Sequence, residues 1–151
     1  MVIYGFVDSG IEYHFNGKTT IINVTADIKA FSSESPEYVG IYVDGEVYKK
    51  SLITEKNTNF TINFDKKGNH DITFIKLSEA EQGSLRINEI KADAKKIKPT
   101  SQKKKSIEFI GDSITCAYGV DGTVEDHYHT SIQDSTKSYA YLTAKKIRCR
   151  L

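Results

Sequence analysis

The sequence predicts a mainly-β protein, in which a jelly-roll β-sandwich is followed by the first strand–loop–helix unit of an α/β domain. Over residues 1–93, short runs rich in β-branched and aromatic residues alternate with turn residues, a pattern typical of sandwiches. A lysine-rich linker follows over 94–105, without apolar periodicity. Over 106–151 an apolar run, a loop and a helical pattern come in the order that begins a parallel α/β sheet.

Two dipeptides predict hairpins in the first part. Asn16-Gly17 and Asp44-Gly45 each stand between two β-rich runs. A type I′ turn needs positive φ at both central residues, which Asn, Asp and Gly tolerate. The runs paired by these turns are residues 10–15 with 19–26, and 38–43 with 46–48.

Later runs complete the predicted sandwich. Residues 60–64 alternate apolar and polar side chains, and the stretch 66–69 (Lys-Lys-Gly-Asn) predicts a turn into a strand at 72–77. A last strand with a bend is marked by Leu85, Ile87 and Ile90. We interpret the aromatic residues of this half as core packing.

The charge balance gives no reason to expect a nucleic acid or a membrane surface as partner. The formal net charge is +1 and the isoelectric point about 7.7, so no strong field would attract polyanions. We interpret the lysines of the linker as a solvated connector rather than a polyanion-binding patch. The sequence leaves the oligomeric state open.

The cysteines and the N-terminus limit what the chain says about its compartment. Two cysteines, Cys116 and Cys149, do not form a disulfide framework. The first residues lack the basic region and the long apolar run of a signal peptide. As written, the chain is therefore expected to remain in the cytoplasm.

The second part places a serine where α/β proteins bind their ligands. An apolar strand predicted at 107–110 runs directly into Gly111-Asp112-Ser113, and ligands in such folds lie beyond the carboxyl ends of strands. Gly111 lets the backbone turn tightly, Asp112 can accept hydrogen bonds from nearby N–H groups, and Ser113 can present its hydroxyl and a free N–H. A serine nucleophile with an oxyanion donor is the chemistry that this loop predicts.

A helix is predicted at 138–147. Ala140, Ala144 and Ile147 share one face at spacings of four and three residues. Either Ser135 or Ser138 could cap its start.

The stretch from Ile107 to Gly119 resembles the first block of the SGNH, or GDSL, hydrolases and, among them, carbohydrate esterase family 2. Glu125-Asp126 and the stretch 138–140 are also similar to that family. So are three stretches of the predicted sandwich, 9–13, 42–46 and 69–83. The resemblance implies a secreted or cell-surface acetylesterase that needs no cofactor or metal and acts on acetylated plant polysaccharide or oligosaccharide, such as xylan or mannan. It also implies that Ser113 is the nucleophile, with its N–H as one oxyanion donor, in a loop formed with Gly111 and Asp112.

The family site also contains a Gly and an Asn from later loops and a His near the end of the domain. The chain ends soon after Ser113, so we expect a C-terminally truncated chain with little turnover of its own, whose residues 106–151 are an incomplete part of the SGNH domain. Two alternatives stay open. One is a non-catalytic sandwich that binds carbohydrate or acts as a scaffold, and the other is a fragment without function.

Residues 126–129 (Asp-His-Tyr-His) superficially match other sites. Asp126 and His129 have the D-x-x-H spacing of the missing acid and base, but they follow the nucleophile directly instead of a later strand. His127 could join them as a metal ligand, yet no partner cluster is visible. We interpret this stretch as a solvated loop, and His14 and His70 as structural residues.

Overall fold

A computed structural model describes residues 2–101 and 103–150. The described part is dominated by one curled antiparallel sheet, which confirms the mainly-β fold class. In chain order its strands are β1 (Val2–Tyr4), β2 (Gly10–Ala26), β3 (Tyr38–Val43), β4 (Glu46–Leu52), β5 (Asn57–Lys76), β6 (Leu85–Ala92) and β7 (Ile97–Pro99). The order across the sheet is β1-β6-β2-β5-β3-β4, and β7 pairs with the first half of β2.

Two long paired strands, β2 and β5, form the spine of the sheet. They pair from Gly10 opposite Ile75 to Thr25 opposite Asn57, with one register shift beyond Gly17. There a single residue of β2, Lys18, lies opposite residues 64–67 of β5. This bulge bends the strands, as extra residues do in antiparallel pairs, and lets the two halves of the sheet share one core.

The predicted hairpin at Asn16-Gly17 is wrong, because these residues lie inside β2. Asn16 and Gly17 pair with Asn69 and Gly68 of β5, and Nδ2 of Asn16 donates to Oδ1 of Asn69 over 2.7 Å. The turn predicted at 66–69 is wrong for the same reason, since β5 continues through it. Long-range pairing between β2 and β5 satisfies the backbone groups that a local turn would have used.

The hairpin at Asp44-Gly45 is confirmed. Both residues have positive φ, +53° and +89°, and they connect β3 to β4. The last predicted strand is also confirmed as β6, whose bend is a register shift opposite Asn23 and Val24. The predicted linker contributes a strand of its own, β7, which pairs with Tyr13–Phe15 of β2.

Alternation along β2 explains how the core fills. The buried side chains fall on odd positions up to Gly17 and on even positions from Thr20 onward, because the bulge at Lys18 shifts the phase by one residue. Without that shift, the second half of β2 would turn its apolar side chains to solvent. The core includes Phe15, Ile22, Ile62, Ile72 and Phe74, each at most 1% exposed.

The second part of the chain differs from the prediction at its first strand. Residues 107–110 form no strand among the described residues. The contact found there is a parallel bridge between Ser106 and Arg150, beside which the N–H of Ile107 donates to the carbonyl of Arg150 over 2.8 Å. A parallel strand needs neighbours along its length, and Ile110 is instead 92% exposed.

Two α-helices are present in the described residues. Helix α1 spans Ile28–Ser32 and helix α2 spans Tyr139–Lys146. The predicted cap of α2 is confirmed at Ser138, whose hydroxyl accepts from the N–H of Tyr141. Ala140 and Ala144 are buried as predicted, whereas Ile147 is half exposed and lies after the helix. Neither helix is long and apolar enough to cross a membrane.

Candidate active site

The loop at Gly111-Asp112-Ser113 is fixed by hydrogen bonds from the residues that follow it. Oδ1 of Asp112 accepts from the N–H of Ile114 over 3.0 Å, and the carbonyl of Asp112 accepts from the N–H of Thr115 over 3.0 Å. The carbonyl of Ser113 accepts from the N–H groups of Cys116 and Tyr118, at 3.2 and 3.0 Å. Asp112 therefore holds the loop as predicted, and the serine lies at the start of a series of tight turns.

Gly111 is needed because the loop packs closely on Thr115. A Cβ at Gly111 would lie 2.0 Å from Oγ1 of Thr115. That hydroxyl is already held, since it pairs with the phenol of Tyr139 at 2.9 Å. The loop is thereby tied to the first residue of α2.

Ser113 itself is exposed. Neither its hydroxyl nor its N–H has a hydrogen-bond partner among residues 2–101 and 103–150. Turns with positive φ at Ala117 and Gly119 (+58° and +68°) follow Ser113. The serine hydroxyl can therefore be reached by an ester from solvent.

An ordered pair of aromatic rings stands next to this loop. Tyr118 and Tyr128 stack in parallel, with 3.9 Å between ring centroids and 9° between ring planes. The hydroxyl of Tyr128 donates to Oε1 of Gln133 over 2.7 Å, and Nε2 of Gln133 donates to the carbonyl of Cys116 over 3.2 Å. Gln133 is fully buried, so it fixes both the ring pair and the turn after Ser113.

Residues 130–138 attach this part of the chain to the sheet. Asp134 and Ser135 are fully buried. Asp134 pairs with Lys50 of β4, and Ser135 donates to the carboxylate of Asp8. The hydroxyls of Thr136 and Tyr42 pair at 2.9 Å. These polar contacts position the loop against the sheet.

Burial changes the acid–base properties of this junction. Desolvation raises the pKa of Asp8 to about 6, opposed by its hydrogen bond from Ser135 and reinforced by the negative charge of Asp134. Desolvation also raises the pKa of Tyr42 and of Tyr141 to about 12. The two phenols therefore stay neutral at pH 7, whereas Asp8 is still mostly ionised at pH 7 and takes up a proton as the pH falls through about 6.

Cys116, three residues after Ser113, does not suit a nucleophile. Burial raises the pKa of its thiol, and the charges of Glu79 and Asp8 add to the shift. A raised pKa keeps the sulfur in the unreactive thiol form. This leaves Ser113 as the nucleophile candidate of the loop.

Three of the four histidines of the chain have hydrogen-bond partners away from Ser113. His14 pairs with Asp71 at 2.7 Å, His70 with Asp44 at 3.2 Å, and Nδ1 of His129 with the hydroxyl of Ser131 at 2.6 Å. Asp126 accepts from the N–H and the hydroxyl of Thr123, at 2.7 and 3.0 Å. In the described residues no imidazole is hydrogen-bonded to Ser113, and no His, Cys, Asp and Glu groups cluster as a metal site. The interpretation of residues 126–129 as a loop fits these contacts.

The chain matches known proteins over both of its parts. A model of the carbohydrate esterase 2 N-terminal family matches residues 3–100. The cellulase/esterase CelE of Acetivibrio thermocellus is 37% identical over 86 residues, which are 54% of this chain and 10% of CelE. The chain thus spans about a tenth of the length of that curated relative.

Solved structures extend the likeness beyond residue 100. A family two carbohydrate esterase from Clostridium thermocellum, solved in complex with cellohexaose, has a TM-score of 0.87 at 23% identity and covers 98% of this chain, which spans 44% of its length. A carbohydrate esterase family 2 enzyme with a carbohydrate binding domain, from Corynascus thermopiles (Myceliophthora fergusii), has a TM-score of 0.80 at 25% identity, with coverages of 98% and 43%. The acetyl xylan esterase Est2A of Butyrivibrio proteoclasticus has a TM-score of 0.84 at 20% identity, with coverages of 96% and 40%.

Proposed function

Because the chain belongs to the carbohydrate esterase 2 N-terminal family, we propose that it is part of a serine ester hydrolase of the SGNH class that deacetylates plant polysaccharide such as acetylated xylan or mannan. The observation that carries this proposal is the exposed hydroxyl of Ser113 in a loop held by Asp112. The acetyl xylan esterase among the similar structures supports the proposed substrate class.

The proposed chemistry is acyl transfer through a covalent intermediate. Oγ of Ser113 attacks the acetyl carbonyl, and the negative charge that develops on oxygen is stabilised by the N–H of Ser113. The sugar alcohol leaves with the serine's proton, and acetyl-Ser113 remains. Water then attacks this ester, which releases acetate and restores the hydroxyl.

A general base is the component that the described residues do not bring to Ser113. Serine is a weak nucleophile at neutral pH unless a base removes its proton. We therefore propose that the described residues alone acylate slowly and deacylate more slowly still. An imidazole supplied from outside should take over part of that role.

The proposal is tested by the reaction of the chain with p-nitrophenyl acetate. We expect a burst of p-nitrophenolate of about one equivalent, the kinetic sign of an accumulating acyl-enzyme. Mass spectrometry should locate the acetyl group on Ser113. Added imidazole should accelerate deacylation, measured after subtraction of its own background reaction.

Two variants make this experiment specific. Ser113→Ala should abolish both the burst and the acceleration by imidazole. Ser101→Ala, which removes another exposed hydroxyl, should leave both unchanged. Equal bursts from wild type and Ser113→Ala would contradict the assignment of the nucleophile.

A further inference from the structure

The outward face of β5, β2 and β6 carries a network of amide and hydroxyl side chains far from Ser113 in sequence. Asn23 donates to Asn59 over 2.7 Å and accepts from Asn88 over 2.6 Å. One pair further along, Thr25 donates to Asn57 over 2.7 Å. The network orders side chains that would otherwise move freely on an exposed face.

Two residues of the network, Asn23 and Asn59, line a depression of about 290 Å³ that the three strands form. The strand register arranges its lining as two rows of three residues. One row is Asn59, Asn23 and Glu89, and the other is Thr61, Ile21 and Lys91. From the spacing of strands and residues, this array measures about 10 Å across the strands and about 7 Å along them.

The array combines an apolar floor with polar groups at its margin. Ile21 is the apolar member and is half-buried between Thr61 and Lys91. Nδ2 of Asn59 and the hydroxyl of Thr61 have no hydrogen-bond partner within the part of the chain that the structure describes. Two donors are therefore available beside a small apolar surface.

The charges of the array cancel. Lys91 pairs with Glu89 at 3.1 Å, so the depression has no net charge with which to attract an anion or a metal ion. A neutral ligand with many hydroxyl groups and an apolar ring face fits these properties. A pyranose unit has both features and is small enough to lie over the array.

We propose that this array, named here the three-strand groove, binds one pyranose unit of a neutral polysaccharide, with the ring over Ile21 and hydroxyls on Asn59 and Thr61. The groove is half open, so the rest of the polysaccharide chain can extend beyond it. The binding does not require the chemistry of Ser113, and the inference goes beyond the proposed esterase function. It would hold substrate close to the protein between catalytic events.

The test is a titration of the isotope-labelled chain with xylohexaose, cellohexaose and mannohexaose, followed by NMR. For at least one of them we expect shifts in the methyl signals of Ile21 and the side-chain amide of Asn59, with a dissociation constant of about 1 mM. Thr61→Val and Asn59→Ala should each weaken binding about tenfold. Asn63→Ala, on the same face of β5 but outside the groove, should bind as wild type does.

The two proposals fail separately. Ser113→Ala should bind at the groove with unchanged affinity, and Thr61→Val should keep the p-nitrophenolate burst. Shifts restricted to residues 111–118 would overturn the groove and leave the esterase proposal standing. If none of the three hexasaccharides shifts any signal of the wild-type chain, the proposed binding at the groove is also contradicted.

Discussion

Asp8 can make the stability of the junction between the sheet and the C-terminal part of the chain depend on pH. It accepts a hydrogen bond from the buried hydroxyl of Ser135, and the carboxylate of Asp134 stands nearby with Lys50 as its partner. The pKa of Asp8 is raised to about 6, mainly by burial. The folded protein thus binds this proton more tightly than the unfolded chain does.

Replacing Asp8 by Asn should stabilise the protein at neutral pH. A raised folded-state pKa gives stability that is fully present below about pH 4 and is lost as pH rises through about 6. Asn removes the buried charge, keeps an acceptor for Ser135 and tolerates the positive φ of 59° at this position. We expect the Tm to rise by about 3 °C at pH 7, which corresponds to about 1 kcal/mol in a chain of this size.

The same substitution should give no gain at pH 4, where both proteins are neutral at this position. Thermal unfolding followed by circular dichroism at both pH values measures the difference. Asp65→Asn, which changes an exposed carboxyl of β5, is the control and should alter the Tm little. An equal change in Tm at pH 4 and pH 7 would contradict the role of Asp8.

Only part of the candidate site could be predicted from the sequence. The Gly111-Asp112-Ser113 loop was predictable because each residue has a local reason to be there. Gln133 and Asp134 were not, since a polar residue between polar neighbours is usually exposed. Their burial depends on partners distant in the sequence, Cys116 and Lys50, which a local pattern does not reveal.

At the scale of elements, the bulge between β2 and β5 depends on glycine at one of two facing positions. Gly17 and Gly68 are paired across the strands. A Cβ at Gly17 would lie 2.1 Å from Oδ1 of Asp93 and 3.0 Å from the ring of Phe15. A Cβ at Gly68 would come no closer than 3.1 Å, to Nε2 of His70.

Gly17→Ala should therefore be far more destabilising than Gly68→Ala. The added methyl at position 17 displaces Asp93, whose Oδ1 accepts from the N–H groups of Lys18 and Thr19 at 2.8 and 3.0 Å. We expect a loss of about 2 kcal/mol for Gly17→Ala, the usual cost of forcing a carbon into a packed site. Gly68→Ala should cost under about 1 kcal/mol. Urea unfolding measures both losses of stability. Equal losses would show that the close approach at Gly17 does not cause the destabilisation.

The same region shows why one hairpin prediction was confirmed and the other was wrong. Asp44-Gly45 has its pairing partners on either side in sequence, so the local turn and the sheet agree. Asn16-Gly17 has its partners on β5, more than fifty residues away. Glycine is common both in turns and at bulges. Pairing with β5 therefore decides which of the two forms at Asn16-Gly17.

At the scale of the whole molecule, a buried ion pair lies where the sheet meets the candidate site. Glu37 and Lys76 are both fully buried, and Nζ of Lys76 lies 2.8 Å from Oε2 of Glu37. The same Nζ donates to the carbonyls of Ser78 and Glu79, at 2.9 and 2.6 Å. The negative charge of Glu79 in turn raises the pKa of Cys116, which lies beside the nucleophile loop. The pair thus connects the end of β5 to the surroundings of Ser113.

Removing one charge of this pair should destabilise the fold much more than removing both charges. Burial raises the pKa of Glu37 and lowers that of Lys76, and their mutual attraction opposes both shifts. Glu37→Gln leaves a buried ammonium and Lys76→Met a buried carboxylate, so each should cost about 3–5 kcal/mol. The double variant leaves neither charge, and the amide of Gln can still accept from the hydroxyl of Ser78, which bonds to Glu37 in the wild type.

The double variant should consequently be more stable than either single variant, although it carries more changes. Urea unfolding of the four proteins gives the coupling free energy directly. A double variant whose loss of stability equals the sum of the two single losses would show that the charges do not interact. Coupling of about 2 kcal/mol or more would mean that the segment before β3 and the end of β5 are joined by a charge pair that is stable only as a pair.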